Sequence, residues 1–444
     1  MSGFRSDIKE GTMPSRWWSA AVVGLIAATL PAPAGAQTSD IVFGAWSWRS
    51  RDPGSRPAGL GGAYVAVADS IRAAAVNPAG LALIPKAELA AGTADLWAGI
   101  GYSLRRAATP ATPAGPVTPL GPVAGRPTQP AVPAVPCAPA RQTRPWAVAL
   151  FAEQAVTQDN QVDVVRGPAR SESGRLSSRA EEAGLSLARG LTPWLDLGVT
   201  VTWSHVRLEG ESAVSNLAGD ELSRIIIGGD ANKARAIVGA LATFGPASDP
   251  TAFRIGAAYH RDLLGWSVER TEIDRVAGLA NGPRTIDIEE PPVLAAGAAL
   301  RLSDNWLFSG EVDYIRYDQV TRTLARNTDA ATASAFRLRN QLEPRLGIEL
   351  TRPSPTGGYF KLRAGIRRET AGRLGYEGTD LALRQAFAQP PDAFRAGAGA
   401  SLLGEFYENG FRFDVDISQV VVERLTSVRA AGRRRISFAF TVRM

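Results

Sequence analysis

Apolar and polar side chains alternate along most of the chain after about residue 145. In the run FRFDVDIS, the odd positions from Phe411 to Ile417 are apolar, and the even positions from Arg412 to Ser418 are polar or charged. A period of two is typical of a β-strand whose two faces meet different surroundings. The pattern therefore predicts an all-β chain, with one apolar and one charged face on each strand.

The same alternation recurs in other runs, and the connections between them are short and long in turn. The clearest runs are WLDLGVTVTW (194–203), NWLFSGEVDY (305–314), KLRAGIR (361–367) and ISFAFTVRM (436–444). A soluble β-sandwich also alternates, but full charges on the polar face favour a wet lumen. Transmembrane barrels have short turns at one end and longer loops at the other. We predict a transmembrane antiparallel β-barrel over residues 87–444.

The strand count follows from the spacing of these runs. About twelve strands fit between residue 145 and the end of the chain, including one at 264–276 and one at 284–302. Single-chain bacterial barrels have an even number of strands. Residues 86–143 then hold an even number more, most simply two, of which one is recognisable at 88–105. We predict about fourteen strands, with twelve as the alternative.

Two insertions interrupt the pattern of strands. Residues 107–143 are rich in proline, which cannot donate to a β-ladder, and are predicted to form an extended external loop. Residues 210–250 contain ELSRIIIGGDANKARAIVGALATFG, whose apolar spacing resembles that of a helix. They are predicted to form a partly helical external loop.

The first 36 residues have the features of a secretory signal peptide. Arg5, Lys9 and Arg16 precede a short apolar core at 17–30, and the small residues Ala34-Gly35-Ala36 follow. This order predicts cleavage before residue 37. Met13 is an alternative start of the chain.

Composition excludes several functions. The 49 Lys and Arg and the 43 Asp and Glu are interspersed, so the net charge of +6 does not predict nucleic-acid binding. One cysteine and two histidines leave no disulfide and little material for a metal site. Nucleotide, zinc and G-x-S-x-G motifs are absent from the sequence, so we predict no enzyme activity, cofactor or metal.

Parity predicts where several titratable residues point. His260 is predicted to face the lumen, and His205 is predicted to face the lipid near the external rim. Glu311 and Asp313 share the inward parity with lumen arginines such as Arg345. These charges are predicted to form a solvated network in the lumen.

The stretch GLGGAYVAVADSIRAAAVNPAGLALIP, residues 59–85, fits neither a long helix nor a strand. Small residues allow close backbone packing, and irregular backbone is tolerated at membrane depth when protein encloses it. We therefore predict that residues 37–86 form a hatch in the lumen. A periplasmic strap that only seals the barrel end is the alternative. The candidate site residues are Gly61, Gly62, Asn77, Pro78, Ala79 and Gly80.

The motifs GGAYVAVAD and NPAGL closely resemble the N-terminal segment of the FadL family of outer-membrane transporters, including the TodX-type hydrocarbon channels. Pro291-Pro292 before a hairpin, and EVDY at 311–314, are also similar to that family. The resemblance implies a fourteen-stranded barrel with a hatch. It implies passive uptake of long-chain fatty acids or other hydrophobic small molecules past the lipopolysaccharide layer, with sideways release into the outer-membrane lipid.

The same motif pair also recurs in PorV-type barrels, which implies an alternative function. Such a barrel would act as an anchor or shuttle for a secreted protein partner. Both functions imply a location in the outer membrane of a Gram-negative-type bacterium.

Overall fold

The computed structural model of the chain describes residues 54–84, 87–93, 97–103, 146–165, 170–245, 252–276, 278–320, 335–354, 358–370, 372, 374–388, 392–406, 409–423 and 435–443. The predicted signal peptide at 1–36, the first part of the predicted hatch at 37–53, and the proline-rich residues 107–143 lie outside the described residues.

Sixteen described strands form one antiparallel sheet, and all but two of them close into a ring. The strands β8 and β9 stand outside the ring, which leaves fourteen in the wall. The strands are β1 Glu88–Gly92, β2 Trp97–Ser103, β3 Trp146–Val165, β4 Arg170–Thr192, β5 Leu195–Asn216, β6 Glu221–Phe244, β7 Phe253–Leu264, β8 Trp266–Asp274, β9 Leu279–Ile288, β10 Val293–Arg301, β11 Trp306–Ile315, β12 Phe336–Arg337, β13 Gln341–Pro353, β14 Tyr359–Glu369, β15 Gly375–Tyr376, β16 Ala393–Phe406, β17 Asn409–Glu423 and β18 Arg435–Arg443.

The ring closes because the last strand pairs with the first, with Glu88 opposite Arg443, and because β5 pairs with β6. The predicted antiparallel barrel of about fourteen strands is confirmed. Short helices span Ser55–Gly59, Ala73–Val76 and Leu381–Ala386, and a 3-10 helix spans Pro78–Leu83. β12 and β15 form a separate two-stranded sheet. In the described part of the chain, no helix is long and apolar enough to cross a membrane.

The outer face of β5 changes character along its length. The large apolar side chains of Leu197, Val199, Val201 and Trp203 are exposed, and the next outward residue is His205. Charged Arg207 and Glu209 follow. A spanning strand needs only about 9–11 residues, whereas β5 has 22. The exposed apolar belt therefore ends near Trp203, and the remainder of β5 stands beyond it.

The predicted directions of the two histidines are confirmed. His260 faces the lumen, and His205 faces outward.

The prediction of a partly helical loop at 210–250 is wrong. Residues Glu221–Phe244 form a strand of 24 residues. β6 pairs with β5 along almost all of its length and with β7 and β8 on its other edge. Buried Ile227, Ile237 and Leu241 all have the inward parity. Hydrogen bonding to strands on both sides outweighs the helix-like local spacing.

A second difference concerns the neighbouring hairpin. The residues at 264–276 were predicted as a wall strand, but β8 and β9 form a hairpin beyond the belt, paired to the outer part of β6. One strand predicted at 284–302 is divided into β9 and β10 at Pro291-Pro292. The prediction leaves β6 out of the wall and includes β8 in it. These two errors cancel, so the predicted number of wall strands is right.

The described residues that flank the proline-rich loop lie at the end of the barrel opposite to the one that an external loop requires. One end of the barrel carries the turns at 193–194 and 302–305, and we call it the tight-turn end. Ser103 pairs with Ala147, and Trp146 pairs with Arg189 beside the 193–194 turn. The connection between β2 and β3 thus starts and ends at the tight-turn end. The predicted external loop would start and end at the opposite end. The cause is that residues 88–103 are a hairpin of two strands and were predicted as one.

Candidate functional site

The segment from Gly54 to Ile84, which we call the N-terminal segment, packs against inward-facing residues of the wall. All of its residues are buried except Asp69, Ala75 and Leu83. Its first helix contacts β14, β16, β17 and β18, and its 3-10 helix contacts β2 to β6. Leu60, Tyr64 and Ile71 share an apolar cluster with the inner wall.

Glycines in the wall allow the backbone of this segment to lie directly on the backbone of the strands. Gly347, Gly365 and Gly397 are in register on three successive strands. A Cβ on Gly365 would lie 2.1 Å from the carbonyl carbon of Leu60, and one on Gly397 would lie 2.0 Å from the oxygen of Ala58. No side chain fits between the two backbones at these positions.

The same arrangement recurs on the other side of the barrel. Gly198 and Gly239 face each other on β5 and β6. A Cβ on Gly198 would lie 2.4 Å from the backbone of Pro78, and one on Gly239 would lie 2.1 Å from Oδ1 of Asn77. The Asn-Pro-Ala-Gly turn thus lies on a second glycine pair.

The wall also supplies hydrogen-bond partners to the irregular backbone of the segment. Oε2 of Glu311 accepts from the backbone N–H groups of Tyr64 (2.7 Å) and Val65 (2.6 Å). Thr200 donates to the carbonyl of Ala74 at 2.6 Å, and His260 Nε2 lies 3.0 Å from the carbonyl oxygen of Val76. Buried backbone polar groups need such partners, so these side chains replace water.

Asn77 links the turn to both the segment and the wall. Its side-chain amide donates to the carbonyls of Val65 (2.8 Å) and Ala240 (3.0 Å). Its Oδ1 accepts from the N–H of Ala79 at 3.3 Å and caps the 3-10 helix, in which Pro78 occupies the first turn. A Cβ on Gly80 would lie 1.9 Å from the oxygen of Ala68. The four motif residues are therefore together and fully enclosed.

Gly61 and Gly62 lie at the other end of the segment, next to β14. Their φ angles are +65° and +88°, a region that side chains other than glycine rarely adopt. A Cβ on Gly61 would lie 2.4 Å from the nitrogen of Ile366. The two glycines and the Asn-Pro-Ala-Gly turn, predicted as one candidate site, lie on opposite sides of the lumen.

The charged groups around the segment are paired, and all of those named here except Asp69 are buried. Arg56 donates to both oxygens of Glu349, at 2.9 and 3.0 Å, and pairs with Asp69. Burial opposes ionisation of Asp69, but the positive charge of Arg56 outweighs it and holds the pKa of Asp69 well below its ordinary value. Glu311 and Asp313, predicted to be solvated, are 4% and 3% exposed and share Arg345. The prediction that they are solvated is wrong, because the N-terminal segment lies against Glu311 and Asp313 is paired with Arg345.

Asn77→Ala removes the amide that joins the turn to Val65 and Ala240. We expect the free energy that holds the 3-10 helix in place to fall by about 1–3 kcal/mol, because two buried carbonyls lose their hydrogen-bond donor. Deuterium exchange at residues 73–84 should accelerate, while the heat-dependent gel shift of the folded barrel stays unchanged. Asn232→Ala, at an exposed outward position on β6, is the control. Equal exchange in both variants would contradict this role.

A second apolar cluster fills the barrel beyond the N-terminal segment, toward the end opposite the tight turns. We call it the upper cluster. It contains Leu176, Ala180, Val206, Leu208, Ile227, Trp266, Val268, Ile286, Ile288, Ile315, Tyr317, Val320, Phe336, Leu338, Leu374, Leu383 and Phe387. Phe336 lies 5.0 Å from the ring centres of both Tyr376 and Phe387. The loops after β11 and β14 thus close over the barrel with an aromatic group.

A break in the wall lies beside this cluster. The ladder between β7 and β10 stops at the pair His260–Val293, and it resumes between β8 and β9 at Trp266–Ile288. Residues 261–265 and 289–292 between these pairs form no described ladder with each other. Pro291 and Pro292 contribute because proline lacks the N–H donor. We call this place the ladder break.

Sequence reasoning missed the groups that fasten the N-terminal segment, chiefly Glu311 and Glu349. Their partners lie 247 and 293 positions away along the chain, so no local signal pairs them. The sequence does contain one signal for these groups. Charged residues and glycines that share the inward parity on neighbouring strands mark the part of the wall that the segment contacts.

No protein-family model matches the chain, and no curated protein matches it. Among solved structures, a FadL homologue from Pseudomonas aeruginosa aligns with a TM-score of 0.53 and 11% identity, over 89% of this chain and 98% of that one. The chain has a FadL-type barrel fold. The CymD monoaromatic hydrocarbon channel aligns with a TM-score of 0.48 and 14% identity, over 88% and 96%. The Ralstonia pickettii toluene transporter TbuX gives 0.47 and 12%, over 88% and 98%. The likeness at these identities concerns the FadL-type fold alone.

Proposed function

We propose that this protein is an outer-membrane channel for the passive uptake of hydrophobic small molecules. The upper cluster is the observation that carries the proposal, because it is an apolar interior inside a barrel whose outer belt is also apolar. Sites for small hydrophobic ligands are enclosed and mostly apolar. The proposed cargo is a long-chain fatty acid or a hydrocarbon.

The outer face supports a location in the outer membrane of a Gram-negative-type bacterium, reached by a cleaved signal peptide. Exposed Leu185, Val201 and Ile255 belong to a belt that suits lipid. The charged outward face of β4 and β5 beyond Trp203 would stand at the level of the lipopolysaccharide. A FadL-type fold is consistent with this location.

The proposed route begins in the upper cluster, where cargo enters between the aromatic rings of the closing loops. The N-terminal segment acts as the hatch, whose shift lets cargo move past it. Sideways release is proposed at the ladder break, because residues 261–265 and 289–292 form no described ladder with each other there.

The test is binding of a fluorescent long-chain fatty acid to the detergent-purified full chain, with toluene as competitor. We expect saturable binding that toluene displaces and that Phe336→Ala weakens by up to about tenfold, since an aromatic contact contributes about 0.5–1.5 kcal/mol. Phe438→Ala, on the lipid-facing side and 43% exposed, should bind as the wild type does. No binding by a barrel that shows the heat-dependent gel shift would reject uptake. Stable co-purification with a secreted protein would then favour the anchor or shuttle function.

A further inference from the structure

A groove lies on the outer face of the barrel, within the exposed apolar belt. Its volume is about 590 Å³, and residues of β10, β11, β13 and β14 line it. We call it the outer groove, and its outward-facing lining includes Ala298, Leu300, Phe308, Gly310, Leu346 and Ile366. Sites for small ligands have volumes of this order, and this one is separate from the lumen.

Small residues at facing positions create the outer groove. Ala298 lies opposite Gly310, and Leu346 is the next residue in that row. In the neighbouring row, Leu300 lies opposite Phe308. The side chains of Leu300, Phe308 and Leu346 are exposed, so they stand as rims beside a floor that carries only a methyl group and a hydrogen atom. A hydrocarbon chain on this floor gains dispersion contacts with both floor and rims.

A cation stands at the edge of the belt on one of the same strands. Arg352 shares the outward parity of Leu346 and is exposed. It forms no ion pair with another residue in the described part of the chain. Arg352 is four residues beyond Ile348 on β13, which is about 13 Å at the rise of an extended strand. The apolar band of an outer-membrane barrel is about 25 Å tall, so the outer groove lies near the middle of the band and Arg352 near its edge.

Aromatic side chains mark the same edge of the belt. The ring of Trp306 stacks on that of Phe308, with 6.3 Å between the ring centres. Trp306 also lies opposite Leu350, two residues before Arg352. Tryptophan is enriched where hydrocarbon meets lipid headgroups. This edge is at the tight-turn end, and short turns face the periplasm in outer-membrane barrels. The lipid beside Arg352 therefore belongs to the inner leaflet.

We infer that the outer groove and Arg352 bind one phospholipid of the inner leaflet. The guanidinium of Arg352 holds the phosphate, to which arginine donates paired hydrogen bonds. One acyl chain runs from there along the rims to the floor at Ala298 and Gly310. The cation at the belt edge favours an anionic amphiphile over a wholly apolar occupant. The inference concerns the outer face and does not depend on the uptake of cargo through the lumen.

The bound lipid would support the wall directly behind the N-terminal segment. Gly347 and Gly365 line the outer groove, and on their inner side they lie against the backbone of Leu60. The wall is a single layer of backbone at these two positions, without side chains of its own. An acyl chain on the outer side supplies packing that the two glycines cannot.

The experiment uses two photoreactive probes on the full-length detergent-purified chain. They are phosphatidylglycerol and diacylglycerol, each with a diazirine in the middle of one oleoyl chain, so they share tails and differ in the phosphate headgroup. We expect phosphatidylglycerol to crosslink chiefly to peptides that span residues 296–312 and 344–366. Ala298→Leu, which fills the floor, should lower the yield of both probes there about tenfold, because an overpacked site excludes the chain.

The headgroup contact is tested by two substitutions of the same residue. Arg352→Gln should lower the yield of phosphatidylglycerol about tenfold, as expected for loss of a charge-assisted contact. It should leave the yield of diacylglycerol within about twofold, since that probe has no phosphate. Arg352→Lys, which keeps the charge, should retain most of the phosphatidylglycerol yield.

Two matched control variants lie elsewhere on the outer face. Ala183→Leu makes the same change at an exposed outward position on β4. Arg189→Gln removes another exposed arginine at the tight-turn end, one that stacks on the ring of Trp146 at 4.7 Å. Both should crosslink as the wild type does, and every variant should show the heat-dependent gel shift of a folded barrel.

Three outcomes would overturn the site. Crosslinking spread evenly over the belt, and unchanged by Ala298→Leu and Arg352→Gln, would mean bulk lipid only. An intact mass of two chains, with little crosslinking to either probe, would assign the outer groove to a second copy of the chain. An equal loss of both probes in Arg352→Gln would remove the role of the phosphate. None of these results bears on uptake, because no variant changes a residue of the upper cluster.

Discussion

Replacement of Gly365 by alanine is expected to unseat the N-terminal segment and open the lumen to ions. The added Cβ would lie 2.1 Å from the carbonyl carbon of Leu60 and 2.2 Å from the nitrogen of Gly61. Both are backbone atoms of a buried segment, so neither can move aside as a flexible side chain would. Overpacking a core by one group costs about 1–3 kcal/mol, and rigid backbone contacts place this substitution at or above the upper end. The wall ladder on either side of Gly365 needs no rearrangement.

The measurement is single-channel conductance in planar bilayers, together with the heat-dependent gel shift of the folded barrel. Gly365→Ala should give frequent long openings and retain the gel shift. Gly310→Ala is the matched control, because Gly310 is on a nearby strand with the opposite parity. A Cβ there would lie 3.5 Å from the end of the Leu346 side chain and 4.0 Å from the oxygen of Arg345, which are ordinary contact distances. If the Gly365→Ala barrel shows no openings, the segment adapts to the extra methyl group. Close backbone contact at Gly365 would then not be what holds the segment in place.

The fold was accessible from the sequence wherever the alternation was strong. In β17, the parity of Phe411 to Ile417 predicts the outward face, and the structure leaves Phe413, Val415 and Ile417 exposed while Asp414 and Asp416 are buried. The prediction failed at β6, where Gly228-Gly229 and a run of three isoleucines obscured the period of two. Strand pairing over 24 residues, and not local propensity, decides that element.

The candidate site was accessible only in part. The Asn-Pro-Ala-Gly motif identified a segment that the structure places against the inner wall. Alternation predicts that the polar face of each strand lines the lumen. It predicts solvated side chains there only if the lumen contains water and no protein segment. In the structure, Arg345 and Glu349 are 5% and 1% exposed. Their burial depends on residues about 250 to 300 positions earlier in the chain, and periodicity carries no information on such contacts.

Glu311→Gln is expected to release the same segment by a different cause, the loss of a charge. The Glu311 carboxylate accepts two successive backbone N–H groups, from Tyr64 and Val65, and its other oxygen accepts from Arg345 at 3.2 Å. Hydrogen bonds to charged groups contribute about 1.5–3 kcal/mol each, against about 1 kcal/mol for neutral ones. Neutralising the acceptor of both bonds therefore reduces the free energy that holds the N-terminal segment against the wall by about 3 kcal/mol. This corresponds to an about hundredfold larger population of barrels in which the segment is released.

Glu343→Gln separates this cause from a general loss of lumen charge. Glu343 is also buried and near Arg345, but it accepts from the backbone and hydroxyl of Thr370, at 2.9 and 2.7 Å. Conductance should rise in Glu311→Gln and stay at the wild-type level in Glu343→Gln, with both barrels showing the heat-dependent gel shift. If both variants conduct alike, the charge balance around Arg345 controls the lumen, and the two bonds to Tyr64 and Val65 do not. If only Glu311→Gln conducts, a single wall carboxylate holds the centre of the segment, midway between the glycine rows that support its two ends.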